Sequence, residues 1–262
     1  MTSQLEAMRE RIGGRRLTRP GSPHVLAVLS GKGGSGVSLV SVLLAIRSAR
    51  AGRRTLLVDA DPWLDMQRVW LGLPKAPSLD DRTLGPADIE TRVTTVGGGL
   101  ELLSLGAGEA RGRDRRAVVR RVPSIFRDRD AVIVDAGSRL ESVERCADLD
   151  VGSVLIVSGS DAVGLASTHA LLKAMRSRTE VQPTILFNGV DADGARAAGT
   201  VLIKGAERFL GTTPSILGGL PSDATVSDGL AQGATLLECL VSSELPARVE
   251  GIMPLLPPWA GP

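Results

Sequence analysis

The 262-residue chain contains no tyrosine, and aromatic residues make up only 2% of it. Proteins that bind single-stranded nucleic acid without sequence preference stack its bases on aromatic side chains, so this composition argues against that class. The chain has just two cysteines, Cys146 and Cys239, which are far apart and in no CxxC spacing. We interpret them as reduced thiols, because the paired cysteines that a metal or an iron–sulfur cluster requires are missing.

Long apolar runs and a large charge of one sign are also missing. The net charge is +2 at pH 7, so any surface for a polyanion must be a local patch. No apolar run approaches the roughly 20 residues that a membrane span needs, and the polar N-terminus is unlike a signal peptide. His24 and His169 have no neighbours at metal-ligand spacing. We therefore expect a cytoplasmic protein with no integral membrane segment.

From residue 23 onward, short apolar segments alternate with helical patterns. Strands are predicted at residues 25–29, 55–61, 100–106, 131–137, 153–159, 184–190 and 214–221, and helices at 37–51, 113–127, 161–177 and 194–209. Buried strands joined by helices are typical of a mostly parallel sheet covered on both faces. We predict an α/β fold with a doubly wound sheet in one domain, residues 23–250. A polar basic segment (1–22) precedes this domain, and an extended proline-rich tail (251–262) follows it.

A glycine-rich loop, SGKGGSGVSL at residues 30–39, connects the first predicted strand to the first predicted helix. Backbone N–H groups and the positive end of the helix dipole make such a loop an anion site, and glycine lets the backbone approach phosphate closely. The loop fits two templates. One is the G-x-G-x-x-G of a dinucleotide site, with Asp59 at the end of the next strand, and the other is a P-loop whose last lysine is replaced by Val37.

Three features favour the P-loop over the dinucleotide site. Lys32 lies inside the loop, where a dinucleotide fold has no use for a cation. Ser38 follows Val37 at the position of a hydroxyl that ligates Mg²⁺. Two later strands end in aspartates, in VDAD and VIVDAG, and carboxylates beside a phosphate loop are what a magnesium–nucleotide site needs.

Taken together, these motifs resemble those of the deviant P-loop ATPases of the MinD/ParA type, whose pattern is K-G-G-x-G-K-[ST]. The resemblance extends over residues 25–240 and includes LLVDADP, the Walker B strand VIVDAG, ILFNGV and the late segment GLPSDATVSDGLAQGATLLE. A small residue in place of the second lysine is similar to the TadZ/CpaE-like branch of the family, which localises pilus or secretion machinery.

The resemblance implies ATP and Mg²⁺ as ligands and gives roles to the residues at matching positions. Lys32 would be the signature lysine that reaches the phosphates of a partner subunit, and Asp61 would position the attacking water, which makes these two the catalytic candidates. Metal binding would fall to Ser38, Asp59 and Asp135. The nucleotide would contact Gly31, Lys32, Gly33, Gly34, Ser35, Gly36, Val37, Ser38, Leu39 and, through its adenine, Asn188.

Val37 in place of a lysine removes a cation from the phosphate loop. One charge-assisted contact is worth about 1.5–3 kcal/mol, or about 10- to 100-fold in affinity. A cation that stabilises the transferred phosphoryl group is worth on the order of 10³–10⁵ in rate. We therefore expect weakened ATP binding and at most a weak ATPase.

The resemblance also implies an ATP-dependent homodimer that positions a pilus or secretion assembly, recruited to a cell pole or to a membrane-associated complex. One alternative is a nucleotide-independent interaction scaffold on a degenerate P-loop fold. A second is a ParA-like partition protein, bound nonspecifically to DNA or to another anionic surface through the eight arginines of Arg111–Arg129. That segment also fits the solvated face of a helix. A Rossmann dinucleotide enzyme is the third alternative.

Overall fold

The computed structural model describes residues 23–61, 65–75, 84–106 and 113–256, with side chains from residue 116 onward in the last range. The predicted N-terminal segment (1–22) and residues 257–262 lie outside the described residues. Among the described residues, no helix combines the length and the hydropathy that crossing a lipid bilayer requires.

Eight strands form one sheet in the described part of the chain. They are β1 His24–Ser30, β2 Thr55–Asp59, β3 Thr94–Gly97, β4 Leu100–Ser104, β5 Ala131–Ser138, β6 Ser153–Ser158, β7 Thr184–Asn188 and β8 Ser215–Leu220. Their order is β3-β4-β2-β5-β1-β6-β7-β8. All neighbouring pairs are parallel except β3 and β4, which are antiparallel. The predicted doubly wound, mostly parallel sheet is confirmed.

The α-helices of the described residues lie in the connections between strands and after β8. They are α1 Val37–Arg50, α2 Met66–Trp70, α3 Pro86–Glu90, α4 Arg113–Val119, α5 Glu141–Asp148, α6 Ala162–Arg176, α7 Ala192–Leu210, α8 Ala224–Ala231, α9 Leu236–Cys239 and α10 Leu245–Ile252. Turns of 3-10 helix occupy Val122–Asp128 and Met253–Leu255.

Helices cover both faces of the sheet, as alternate residues of the central strand show. Ala27 and Leu29 of β1 belong to a buried cluster that includes residues of α6 and α7. Leu26 and Val28 belong to a second cluster that includes residues of α1 and α10. Because successive side chains of a strand point to opposite faces, one apolar run supplies two cores.

The structure adds helices α2, α3, α5, α8, α9 and α10 to the sequence-based prediction and differs from it in further places. Strand β3 was not predicted, because it is four residues long and only partly buried. The helix expected over 113–127 ends at Val119 and continues as a 3-10 turn, where Pro123 lacks the N–H that an α-helix needs. The tail expected from residue 251 is helical up to Leu255, with Met253 and Leu256 buried against the second cluster.

The order of the strands places the glycine-rich loop at a topological switch point. Strand β1 lies between β5 and β6, and the chain leaves it for β2 on one side before returning to β6 on the other. In open α/β sheets, ligands bind at such a point, outside the carboxyl ends of the strands. Asp59 and Asp135 are neighbours in the register of β2 and β5, which brings the two predicted metal-binding aspartates together at that edge.

Candidate functional site

The loop of residues 30–36 packs its backbone against two other parts of the chain. A side chain at Gly31 would place a Cβ 2.3 Å from the backbone oxygen of Ser167 on α6. Gly36, at the N-terminus of α1, has a φ of +90°, and a Cβ there would lie 2.2 Å from the side-chain nitrogen of Asn188. Glycine is required at both positions because other residues would push the loop away from its neighbours.

A cavity of about 520 Å³ opens beside this loop. It brings together nine of the ten predicted nucleotide contacts, all except Gly31, and also the predicted catalytic residue Asp61. The other lining residues are Trp70, Gly137, Ser138, Pro221, Ser222, Asp223, Val226, Ser227, Leu230 and Leu245. Its volume lies within the range of about 300–1,000 Å³ that small-molecule sites occupy.

Asp135, the predicted Walker B aspartate, is fully buried and accepts hydrogen bonds from two donors. Its Oδ1 accepts from the backbone N–H of Gly137 at 2.9 Å, and its Oδ2 accepts from Nε2 of Gln67 at 2.7 Å. The hydroxyl of Ser38 also acts on this carboxylate and lowers its pKa. Burial nevertheless raises the pKa of Asp135 above its usual value, because these bonds only partly replace water.

Asp59 lies beside Asp135 with 2% of its surface exposed. Its Oδ1 accepts from the backbone N–H of Asp61 at 3.1 Å, whereas its buried Oδ2 has no hydrogen-bond partner among the described residues. Burial raises the pKa of Asp59 well above its usual value, and the charge of Asp135 raises it further. A buried carboxylate with an unpartnered oxygen requires a proton or a cation.

The residues present fit Mg²⁺. A hydroxyl and two carboxylates supply the oxygen ligands that this ion prefers, and the orphaned oxygen of Asp59 needs positive charge. The described residues contain no cluster of three His, Cys, Asp or Glu side chains that could hold a metal on their own. Mg²⁺ typically keeps several waters and binds through one or two carboxylates together with nucleotide phosphates.

Lys32, the other predicted catalytic residue, forms an ion pair within its own chain. Its Nζ lies 3.2 Å from Oδ2 of Asp161, which also caps α6 by accepting from the N–H of Gly164 at 2.9 Å. The Gly164 N–H and then Lys32 lower the pKa of Asp161. The predicted contact of Lys32 with a partner subunit would therefore require this ion pair to open.

Asn188, the predicted adenine contact, braces the loop in this structure. Its Nδ2 donates to the backbone oxygen of Ser35 at 3.0 Å, and the residue also lines the cavity. The bond ties the end of β7 to the phosphate loop. Contact with adenine stays a prediction.

Val37, the residue predicted to replace the P-loop lysine, is 7% exposed and belongs to the core cluster beneath α1. It also belongs to the residues that line the cavity. An aliphatic side chain therefore packs the start of the helix into the core at the position where a lysine was expected to be replaced.

Sequence reasoning missed two residues at this site, the buried Gln67 and the half-buried Arg145. Arg145 on α5 donates from Nε to the backbone oxygen of Ala136 at 2.9 Å. Burial lowers the pKa of Arg145, and the charge of Asp61 opposes that shift, which places a guanidinium beside the predicted water-positioning carboxylate. Neither residue belongs to a recognisable motif. The only available clue in the sequence was that each is a polar residue close to apolar ones.

Several arginines of the 111–129 segment are paired with carboxylates. Arg116 and Arg120 bind Asp148 at 2.7 and 2.9 Å. Arg129 is buried and binds two glutamates at 2.6 and 2.9 Å, which raises its pKa. These pairs reduce the positive charge that the segment can offer to phosphate. A DNA or anionic-lipid surface here stays a prediction.

Comparisons with known proteins agree with this geometry. Residues 26–236 match the model of the CobQ/CobB/MinD/ParA nucleotide binding domain. The antiactivator FleN of Pseudomonas aeruginosa is 26% identical over 256 residues, which cover 92% of this chain and 90% of FleN.

Solved structures share the fold at low sequence identity. The septum site-determining protein MinD of Pyrococcus horikoshii, complexed with Mg-ADP, has a TM-score of 0.68 at 17% identity, covering 91% of this chain and 98% of that one. An ATP complex of a Cyanothece McdA variant has a TM-score of 0.68 at 18% identity, covering 88% and 95%.

Proposed function

This chain belongs to the CobQ/CobB/MinD/ParA nucleotide-binding family, and we propose that it is an ATP- and Mg²⁺-binding switch that dimerises and hydrolyses ATP weakly or not at all. We further propose that it acts in the cytoplasm to position a pilus or secretion assembly. It would reach a cell pole or a membrane-associated complex through a protein partner.

One observation carries the proposal: the glycine-rich loop and Asp61 line one nucleotide-sized cavity, and the buried Asp59 and Asp135 are register neighbours on the adjacent strands β2 and β5. The loop presents backbone N–H groups to an anion, and α1 adds the positive end of its dipole. Gln67 links the two parts, because its Nε2 donates both to the backbone oxygen of Ser38 and to Oδ2 of Asp135. A phosphate chain bound by the loop would thus end beside the residues that fit Mg²⁺.

The chain's own residues then divide the work. The loop binds and orients the phosphates, and Asn188 holds the loop against β7. Asp61, which lines the cavity, would accept a hydrogen bond from an attacking water. Ser38, Asp59 and Asp135 would hold Mg²⁺, which would neutralise phosphate charge.

Weak hydrolysis follows from the charge that is missing. Val37 offers no cation to the transferred phosphoryl group, and Lys32 is paired with Asp161 in its own subunit. Arg145 lies close to Gly137 but is not among the residues that line the cavity. Its guanidinium would therefore offset the charge of nearby carboxylates and would not replace the missing lysine at the phosphates.

The spatial role rests on the similarity of the loop to the TadZ/CpaE-like branch and on the nature of the relatives. FleN is named an antiactivator, and the P. horikoshii structure is that of a septum site-determining protein. A further structural neighbour is a MinC:MinD cell division protein complex from Aquifex aeolicus, in which a fold of this type binds another protein. These relatives support a regulator that works through partners.

Calorimetry with Mg²⁺ and ATP, combined with light scattering for mass, tests the proposal on the native chain and on Lys32→Ala. We expect micromolar binding and a doubling of the mass in the native chain, because Lys32 leaves Asp161 for the partner's phosphates. Lys32→Ala should bind without doubling. Arg248→Ala removes an exposed cation from another ion pair and serves as a control.

Absence of binding at millimolar ATP would overturn the proposal and favour a nucleotide-independent scaffold. Two observations favour the scaffold: Lys32 is paired with Asp161 of its own chain, and Val37 is buried. A DNA-binding partition protein would instead show DNA affinity that falls steeply with salt.

A further inference from the structure

Gln67 lies in the segment after β2 and contacts two residues of the expected Mg²⁺ site, Ser38 and Asp135. It lies in the first turn of α2 and is fully buried. Its Nε2 donates to Oδ2 of Asp135 at 2.7 Å and to the backbone oxygen of Ser38 at 3.2 Å. One amide nitrogen therefore fixes the Walker B carboxylate relative to the end of the phosphate loop.

The other end of the Gln67 side chain is unsatisfied. Its Oε1 is buried and has no hydrogen-bond partner among the described residues. Oδ2 of Asp59 and Oδ1 of Asp65 are also buried without a hydrogen-bond partner in the described part of the chain. A buried acceptor without a donor is costly, so the free oxygen of Gln67, on a side chain that already holds Asp135, indicates a donor that arrives with a ligand.

A hydrated Mg²⁺ is a ligand that brings such donors. The ion keeps several of its waters in protein sites, and each water points its hydrogens outward toward acceptors. Replacing a group that orients the direct ligands of a metal typically costs about 10- to 100-fold in metal affinity. Gln67 already holds Asp135 through its nitrogen and still has a free acceptor.

We propose that Gln67 is a positioning residue for Mg²⁺. Its nitrogen holds Asp135 and Ser38 in place, and its oxygen accepts a hydrogen bond from the hydration shell of the ion. Helix α2 also carries Trp70, which lines the nucleotide cavity. Gln67 therefore couples the metal end of the site to the nucleotide through this helix. The inference rests on the proposed binding of nucleotide and Mg²⁺.

Calorimetry of ADP binding, first with EDTA and then with Mg²⁺, tests the role without any contribution from hydrolysis. The measured quantity is the factor by which Mg²⁺ tightens ADP binding. Gln67→Met keeps an unbranched side chain of similar length but has neither donor nor acceptor. We expect the factor to fall about 10- to 100-fold, as for other groups that orient metal ligands, with ADP affinity in EDTA unchanged.

Gln67→Glu gives the opposite expectation. It keeps an acceptor and adds negative charge beside Asp135, so Mg²⁺ relieves a repulsion and its effect on ADP affinity should increase. Gln182→Met makes the same chemical change at an exposed glutamine and should leave the factor unchanged. Thermal melting with Mg²⁺ and ADP establishes that each variant is folded.

The outcomes separate the two proposals. If the unmodified chain binds no nucleotide, both the proposed function and this inference are refuted. If it binds with a Mg²⁺ effect that Gln67→Met retains, only the role of Gln67 is wrong. A loss of ADP affinity that is equal in EDTA and in Mg²⁺, or a change of the same sign in both variants, would reduce Gln67 to a structural residue.

Discussion

Replacing Val37 by lysine should raise the rate of ATP hydrolysis and lower the stability of the nucleotide-free protein. Val37 is 7% exposed within the core cluster of α1, so the change removes a buried aliphatic side chain. Full burial of such a side chain is worth about 1.5–3 kcal/mol, of which the methylene stem of lysine recovers a part. A loss of about 1 kcal/mol corresponds to a decrease in Tm of about 2–4 °C for a domain of this size.

The expected gain in ATP affinity and in hydrolysis rate depends on the position of residue 37 at the cavity. Val37 contributes to its lining, so an ammonium group at this position reaches the space where the phosphates are expected. One charge-assisted hydrogen bond should tighten ATP binding about 10- to 100-fold. In the transition state, a cation of this kind is worth on the order of 10³ in rate or more.

Phosphate release at saturating Mg²⁺ and ATP measures the outcome, with Val37→Met as a control that changes the side chain without adding charge. We expect acceleration in the lysine variant alone. Equal rates in the two variants would refute the argument from charge. Tighter binding without faster hydrolysis would show that another feature of the site, such as the guanidinium of Arg145 beside Asp61, limits the reaction.

Two further predictions test the loop and the buried carboxylates. Gly31→Ala should lower stability by about 1–3 kcal/mol because its Cβ meets the backbone of α6, whereas Gly33→Ala, with 3.9 Å to its nearest neighbour, should change it little. Equal Tm values for these two variants would contradict that reasoning. The pKa values of Asp59 and Asp135 are raised by folding, so in EDTA the free energy of unfolding should fall as pH rises above the ordinary aspartate pKa of about 3.9. Denaturant unfolding should show this slope, Mg²⁺ with ADP should flatten it, and an unchanged slope in Asp59→Asn would be evidence against it.

The fold, the glycine-rich loop and the two aspartates of the site could be predicted because each depends on the pattern of residues that are close together in the sequence. Apolar runs separated by helices indicate a parallel sheet, and the carboxyl ends of parallel strands meet at one edge. Asp59 ends β2, Asp135 lies near the end of β5, and Ser38 follows the loop by chain continuity, so each position was readable from its neighbours in the sequence. Strand β3 was not predicted because a short, half-exposed edge strand has too few apolar residues to show a clear pattern.

Contacts between distant parts of the chain could not be predicted in this way. Lys32 meets Asp161 across 129 residues, and Asn188 meets the backbone of Ser35 across 153. Gln67 reaches Asp135 across 68 residues from a short helix that carries no motif. None of these pairs has a spacing or composition that marks it.

The sequence by itself therefore determined that a phosphate loop and strand-end carboxylates lie at one edge of a doubly wound sheet, because strand–loop–helix order and periodicity are local properties. Only the tertiary structure decided which partners these groups have. It pairs Lys32 within its own subunit, leaves an oxygen of Asp59 unpartnered among the described residues, and places Gln67 between Ser38 and Asp135. Those outcomes depend on how helices pack over the sheet, which sets distances between residues that the sequence keeps far apart.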